Sequence, residues 1–433
     1  MVNLHTDVEH IVKTSSSRSP ATETIWALLG WGIGFVVLLG FSPKLFHVQE
    51  YFFFSLLTGT VFFCLKEGKS IWVRTPYDIP LLGFLAWICL SIPFSVDPGL
   101  SLEEAPKALA QAAVFYGTCL IIRESSRNGD GRQVLWAILC GAFACYAYSL
   151  GDFWERGGNI WDREIRAGFP KADGTDITWL SINVLMVLPM LFAGLGMSFE
   201  WKSRGAWGAV FLLALLCLFF SYSRGAWLGA LTQILLGVWL IHKRMVLKIA
   251  MIGAVCLSLL GSALVYGNLH SRIFDPSTVF GRLLVWELAA ADVGAHPLVG
   301  IGYGNLVFEQ RHQSDFVMQR TAHATVPDIL TKPHSWYLSV AVGTGLPGLV
   351  LGCWLLGKIG LTVHAAFLKA ENWETRCWLF GVLLMLGGFS IRLLFEDGFG
   401  GSHSYLFWIL VASSLMISTN SGAKSFVSRQ VMG

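Results

Sequence analysis

The chain has 433 residues, is 54% hydrophobic and carries charge on only 14% of positions, against about 25% in a typical soluble domain. Mean hydropathy is +0.58. This composition excludes an ordinary soluble enzyme, a disordered chain and a nucleic-acid binder with a basic face, and the net charge of +3 says less than where the charges lie.

Apolar runs long enough to cross a bilayer recur along the whole chain. They predict about twelve helices, near 25–41, 50–65, 79–95, 105–122, 133–151, 178–198, 205–221, 225–242, 246–266, 336–357, 375–396 and 402–418. Stretches such as Leu212 to Phe220 are apolar without alternation, which excludes a membrane barrel. The expected fold class is therefore all-α: one integral membrane domain over 1–433. A polar stretch precedes the first run with no small-residue cleavage site, so that run reads as a retained helix.

The basic residues test this count. Lys13 and Arg18; Lys66, Lys69 and Arg74; Arg123, Arg127 and Arg132; Lys202 and Arg204; Lys243, Arg244 and Lys248; Lys358, Lys369 and Arg376; and Lys424 and Arg429 all fall on one side. The short loops of the other side hold only Lys44, Lys107, Arg224 and Arg392. The positive-inside rule puts both termini in the cytoplasm. Two long loops, 152–176 and 267–334, then fall outside. The second contains an apolar stretch, Leu283 to Val293, too short to span and suited to a helix at the membrane surface.

Familiar soluble chemistry is absent. The sequence has no GxxxxGK[ST], HExxH or GxSxG motif. It has no D-x-D pair, and Asp162-Arg-Glu164 reads as a solvated salt-bridge cluster. The nine cysteines lie in predicted spans or at their ends and read as packing residues. No metal site, cofactor or nucleic-acid partner is expected.

Three outer-side features remain. Ser221 to Trp227 joins two spans with almost no loop, fixing Arg224 at the boundary, where an arginine could otherwise merely snorkel. Arg282 opens the predicted surface helix, and a guanidinium at a helix N-terminus suits an anion. The Gly300-Ile-Gly302-Tyr-Gly304 run after it reads as a plain turn. His334 stands where the large loop re-enters the membrane, followed by Gly343, Gly345 and Gly348, which suit close helix packing. Weaker candidates are Arg163 and Arg166, which add positive charge, and Glu396, Asp397 and His403. Fixed cations beside a potential base suit a lipid-linked diphosphate donor: arginines bind its oxygens bidentately and stabilise it as it leaves, and histidine takes a hydroxyl proton.

The Ser223-Arg224-Gly-Ala-Trp227 turn, the Gly281-Arg282 helix with Pro297, Gly300 and Gly302, and the His334-Ser segment with its three glycines resemble the O-antigen ligase family. These motifs occupy roughly 220–350, and the topology matches over the whole chain. The resemblance implies transfer of O-antigen polysaccharide from undecaprenyl diphosphate to the lipid A–core of lipopolysaccharide, at the periplasmic face of the bacterial inner membrane. It implies a metal-independent, inverting glycosyltransferase related to the GT-C class. It places the functional arginines at Arg224 and Arg282 and the functional histidine at His334, read as general base. Apart from the resemblance, Glu396 or Asp397 reads as a carboxylate supporting that histidine. O-antigen polymerases and protein O-oligosaccharyltransferases share the donor, and a lipid-linked glycan flippase would also need outer cations. One dominant outer loop favours ligase over polymerase, and the short tail after the last span argues against a protein oligosaccharyltransferase.

Overall fold

The computed structural model describes residues 20–125, 132–159, 165–171, 174–198, 200–241, 276–314, 332–397 and 399–431, with backbone alone for 20–21, 276–280 and 420–431. Its helices are α1 (Pro20–Leu39), α2 (Phe46–Lys66), α3 (Asp78–Ser91), α4 (Pro98–Ser125), α5 (Arg132–Glu155), α6 (Ile177–Met197), α7 (Trp201–Phe220) and α8 (Arg224–Ile241). They continue as α9 (Pro276–Ala295), α10 (Asn305–Arg311), α11 (Trp336–Lys369), α12 (Trp373–Arg392) and α13 (Gly401–Val431). The one sheet among the described residues is a hairpin of β1 (Phe169–Lys171) and β2 (Gly174–Asp176), paired Phe169 to Asp176. The chain is an all-α polytopic membrane protein. Nine described helices are long and apolar enough to cross a bilayer.

Burial sorts the bundle. From Trp179 to Leu191 every α6 side chain is buried, and so is every α13 side chain from Ser402 to Met416. A helix apolar and covered all round is a central helix. α1 and α7 instead expose Leu28, Trp31, Phe35, Leu212 and Phe219, the faces that lipid would cover. Apolar burial drives little association in lipid, so close contact and polar links between helices matter more. A Cβ on Gly229 of α8 would meet the Gly388 carbonyl of α12 at 2.9 Å. Gln233 donates to the Leu185 carbonyl at 2.7 Å, and Tyr146 to Asn183 at 2.9 Å.

Cross-links define two ends. At one, Arg132 pairs with Glu374 at 3.2 Å and Trp373 donates to the Gly196 carbonyl. At the other, Trp179 donates to Ser402, Tyr405 to Glu50 and Tyr337 to the Ser390 carbonyl. The starts of α8 and α11 and the end of α12 lie at this second end.

Eleven of the twelve predicted spans fall on these helices, and 246–266 lies outside the described residues. The structure corrects four details. The outer loop 152–176 is partly ordered, by the end of α5 and the hairpin. α9 starts seven residues before the predicted surface stretch. Lys358, assigned to a connecting loop, is an exposed residue inside α11. The predicted span 336–357 is two pieces: Gly345 has φ 73 and ψ −179, and Pro347 begins a new helix just after it. Residues 336 and 352 would be about 24 Å apart in a straight helix. The Trp336 ring nevertheless reaches Gly352, where a Cβ would meet it at 2.9 Å. The break is therefore sharp, and residues 346–369 form a separate helical piece beyond it.

The glycine run 300–304 is more than a turn, because it docks on this break backbone to backbone. Ile301 N–H donates to the Val342 carbonyl at 2.8 Å, Gly302 N–H to Gly343, and Leu346 N–H to the Pro297 carbonyl. Helical hydrogen bonds lost at the break are replaced by the loop. Val285, Ala289, Ile301, Val307, Phe308 and Val342 close a small core around the junction. Asp292 completes it, accepting from Arg311 Nε at 2.9 Å and meeting His312 Nε2 at 2.7 Å.

A Cβ on Gly345 would meet the Leu298 carbonyl at 2.3 Å, at a φ that L-residues avoid. Gly345→Ala is expected to lower the melting temperature of the detergent-solubilised protein clearly. Gly357→Ala, in open space on the same helix, is expected to leave it unchanged or raise it. Thermal unfolding of both variants checks the pair.

Candidate active site

Arg224 is placed by a turn with little freedom. Tyr222 takes φ 49, and Ser223 accepts from the N–H groups of Ala226 and Trp227 at 3.0 Å. The Trp227 indole donates back to the Leu218 carbonyl at 2.9 Å, locking the α7–α8 corner. The guanidinium is left exposed at the start of α8.

Arg282 lies almost two turns inside α9, so it does not sit at the helix N-terminus as expected. Its helix is held by Val285 and Ala289 in the junction core and by Trp286, which donates to the Pro333 carbonyl at 2.8 Å. Burial pulls the guanidinium below its ordinary range, Glu396 opposes that, and Arg224 adds to it by like charge. These mutual influences bring Arg282, Arg224 and Glu396 into one field.

His334 takes the left-handed conformation, φ 49, between the buried Pro333 and Ser335. Ser335 caps α11, and Trp336 N–H donates to the Leu393 carbonyl at 2.9 Å, tying this start to the end of α12. His334 Nδ1 stands 3.0 Å from Glu396 Oε1. In the neutral imidazole beside an ionised Glu396, Nδ1 is the protonated nitrogen that donates and Nε2 has the lone pair. Glu396 is buried. Burial pushes its carboxyl up, but the His334 hydrogen bond outweighs this, together with the charges of His334, Arg392 and Lys332, and the net effect holds it below the ordinary range.

Arg392 was recognised in the sequence only as an outer-side exception to the basic bias. It is 4% exposed, its Nη2 lies 3.9 Å from Glu396 Oε2, and Arg282 is a further electrostatic neighbour. Its other face presses on the start of α8, where a Cβ on Gly225 would meet Nη1 at 2.4 Å. The signal was available: Arg392 stands at the end of an apolar run, four residues before a carboxylate.

The remaining candidates separate. Asp397 turns away from His334, accepting from Ser339 at 2.7 Å and from Asn305 at 3.3 Å, and burial raises its carboxyl. Glu396 is thus the carboxylate on the histidine. His403 is buried against Trp179 and meets the Trp179 carbonyl at 3.1 Å, with Arg392 as an electrostatic neighbour. Arg166 is exposed on a segment tied to the end of α7 by Ala167 N–H to the Phe220 carbonyl, and Arg163 lies outside the described residues. Among the described residues no three His, Cys, Asp or Glu side chains gather as a metal site requires.

Residues 209–353 match the family model described as O-antigen ligase. The matched segment holds Arg224, Arg282 and His334 and ends before Arg392 and Glu396. No curated protein matches the chain.

Because the folded state holds Glu396 below the carboxylate's ordinary range, its ion pair contributes stability above that range. The contribution is lost as pH falls through the lower folded value. Thermal unfolding across acid pH is expected to fall more steeply for the wild type than for Glu396→Gln, and parallel curves would remove the linkage.

Proposed function

We propose that this member of the O-antigen ligase family transfers O-antigen polysaccharide from undecaprenyl diphosphate to lipid A–core. The family match supports ligase- or polymerase-type glycan transfer in general. The finer reading is carried by one observation: a histidine paired to a buried carboxylate beside three guanidiniums.

In this reading Arg224 and Arg282 hold the diphosphate oxygens. His334 Nε2 takes the proton of the acceptor hydroxyl, whose oxygen attacks the anomeric carbon from the face opposite the diphosphate. The bond from that carbon to the phosphate oxygen breaks, and its electron pair leaves with undecaprenyl diphosphate. The arginines stabilise the charge that builds there. Glu396 fixes the imidazole tautomer and stabilises the imidazolium, and Arg392 holds Glu396 in place. The basic residues gathered at the other end of the bundle support a cytoplasmic far end and a periplasmic site.

Reconstitution with lipid-linked O-antigen and lipid A–core tests the reading. Product on the core supports ligase. Longer lipid-linked chains would mean polymerase, glycosylated protein an oligosaccharyltransferase, and lipid movement without a new bond a flippase. His334→Ala is expected to lower kcat by about 10²–10⁴-fold while the protein still inserts. Arg224→Lys and Arg282→Lys are expected to recover little activity, because lysine lacks the bidentate fork; full recovery would point to simple charge. Chelator is expected to leave transfer unchanged.

A further inference from the structure

Glu396 and Asp397 are sequence neighbours that face opposite ways. Glu396 turns to His334 and the arginines, whereas Asp397 turns to Ser339 and Asn305. Behind Asp397 lies a cavity of about 510 Å³ between α3, α4, α11 and α13. Trp336, two residues past His334, forms part of its wall. None of Arg224, Arg282 and Arg392 lines this cavity, and Arg392 presses instead against the start of α8.

The lining has a definite chemistry. Asp397, Asn305 and Lys332 supply polar groups, with Glu50, Glu104 and Lys107 also in the lining, and Trp336, Phe84 and Trp408 supply aromatic side chains. Apolar walls with a few placed polar groups are what a small-molecule site requires. A sugar fits this set: its C–H faces lie on aromatic rings, and its hydroxyls donate to a carboxylate and exchange hydrogen bonds with an amide. The volume lies within the range of about 300–1,000 Å³ for sites of a single compact ligand, too small for a lipid with several acyl chains.

Displacement with inversion puts nucleophile and leaving group on opposite faces of the donor sugar, with the base beside the nucleophile. A cavity that no arginine lines, walled by Lys332 and Trp336 on either side of His334 in sequence, suits the nucleophile and not the diphosphate. We infer that this cavity binds the terminal saccharide of the acceptor, presenting its hydroxyl to His334. The inference rests on the glycan-transfer reading above.

Ala108 of α4 lines the cavity, whereas His334 and Glu396 do not, and Ala108→Phe would fill it. The experiment measures thermal shifts of purified protein with undecaprenyl diphosphate and, separately, with lipid A–core lacking O-antigen. Transfer kinetics are measured in parallel. Wild type is expected to respond to both ligands. Ala108→Phe is expected to keep the diphosphate response, lose the core response and raise the acceptor KM at least 10-fold with donor KM unchanged. An undiminished core response in the filled variant overturns the inference. So does loss of the diphosphate response with the core response intact, which would make the cavity a prenyl groove. A wild type that does not respond to the core glycolipid overturns it too. A wild type that responds to the core but not to undecaprenyl diphosphate refutes the donor assignment and leaves the cavity's role supported. If Ala108→Phe does not fold, Asn305→Ala at the cavity wall carries the same expectations.

Discussion

The architecture around the site depends on one backbone contact. Where α11 breaks at Gly345, the loop at Pro297–Gly302 supplies hydrogen-bonding partners that a continuous helix would have found in itself. No side chain separates the two backbones, because a Cβ on Gly300 or Gly345 would strike a carbonyl oxygen at 2.4 or 2.3 Å. Unpaired backbone groups are costly in an apolar bundle, so break and loop require each other. α9, α10 and the first piece of α11 are held by this junction, and Arg282 and His334 with them.

The electrostatics of the cluster follow from that placement. Arg392 is almost wholly buried, and its Nε has no hydrogen-bond partner. A buried cation needs a counter-charge, and Glu396 supplies it while also holding His334. One carboxylate therefore answers to an arginine and a histidine, with Arg282 and Arg224 adding positive charge nearby. Among the described residues this cluster holds more guanidiniums than carboxylates, surroundings in which Glu396 stays ionised although it is buried.

Much of this was legible in the sequence for physical reasons. Apolar runs of bilayer length and the bias of Lys and Arg give the helices nearly one for one, because the constraint acts on each segment alone. Arg224 stood out because the Ser221–Trp227 corner leaves no room for a loop. The break in α11 was not legible as such. Gly343, Gly345 and Gly348 suit helix packing equally well, and only the distant Gly300–Gly304 run decides between the two readings. Arg392 and the choice of Glu396 over Asp397 were hidden for the same reason: which of two adjacent carboxylates faces a histidine depends on how two chain segments, 62 residues apart, meet.

The left-handed backbone at His334 has a further consequence. Histidine tolerates this conformation better than most side chains, but a non-glycine residue there still costs about 1–3 kcal/mol. The surrounding contacts, from the Ser335 cap to the Leu393 carbonyl, hold it there. The residue that would make this position most stable is therefore not the residue that gives it a proton acceptor. Glycine would relieve that cost but leave no ring nitrogen beside Glu396, so backbone stability and the His334–Glu396 contact pull in opposite directions at this position.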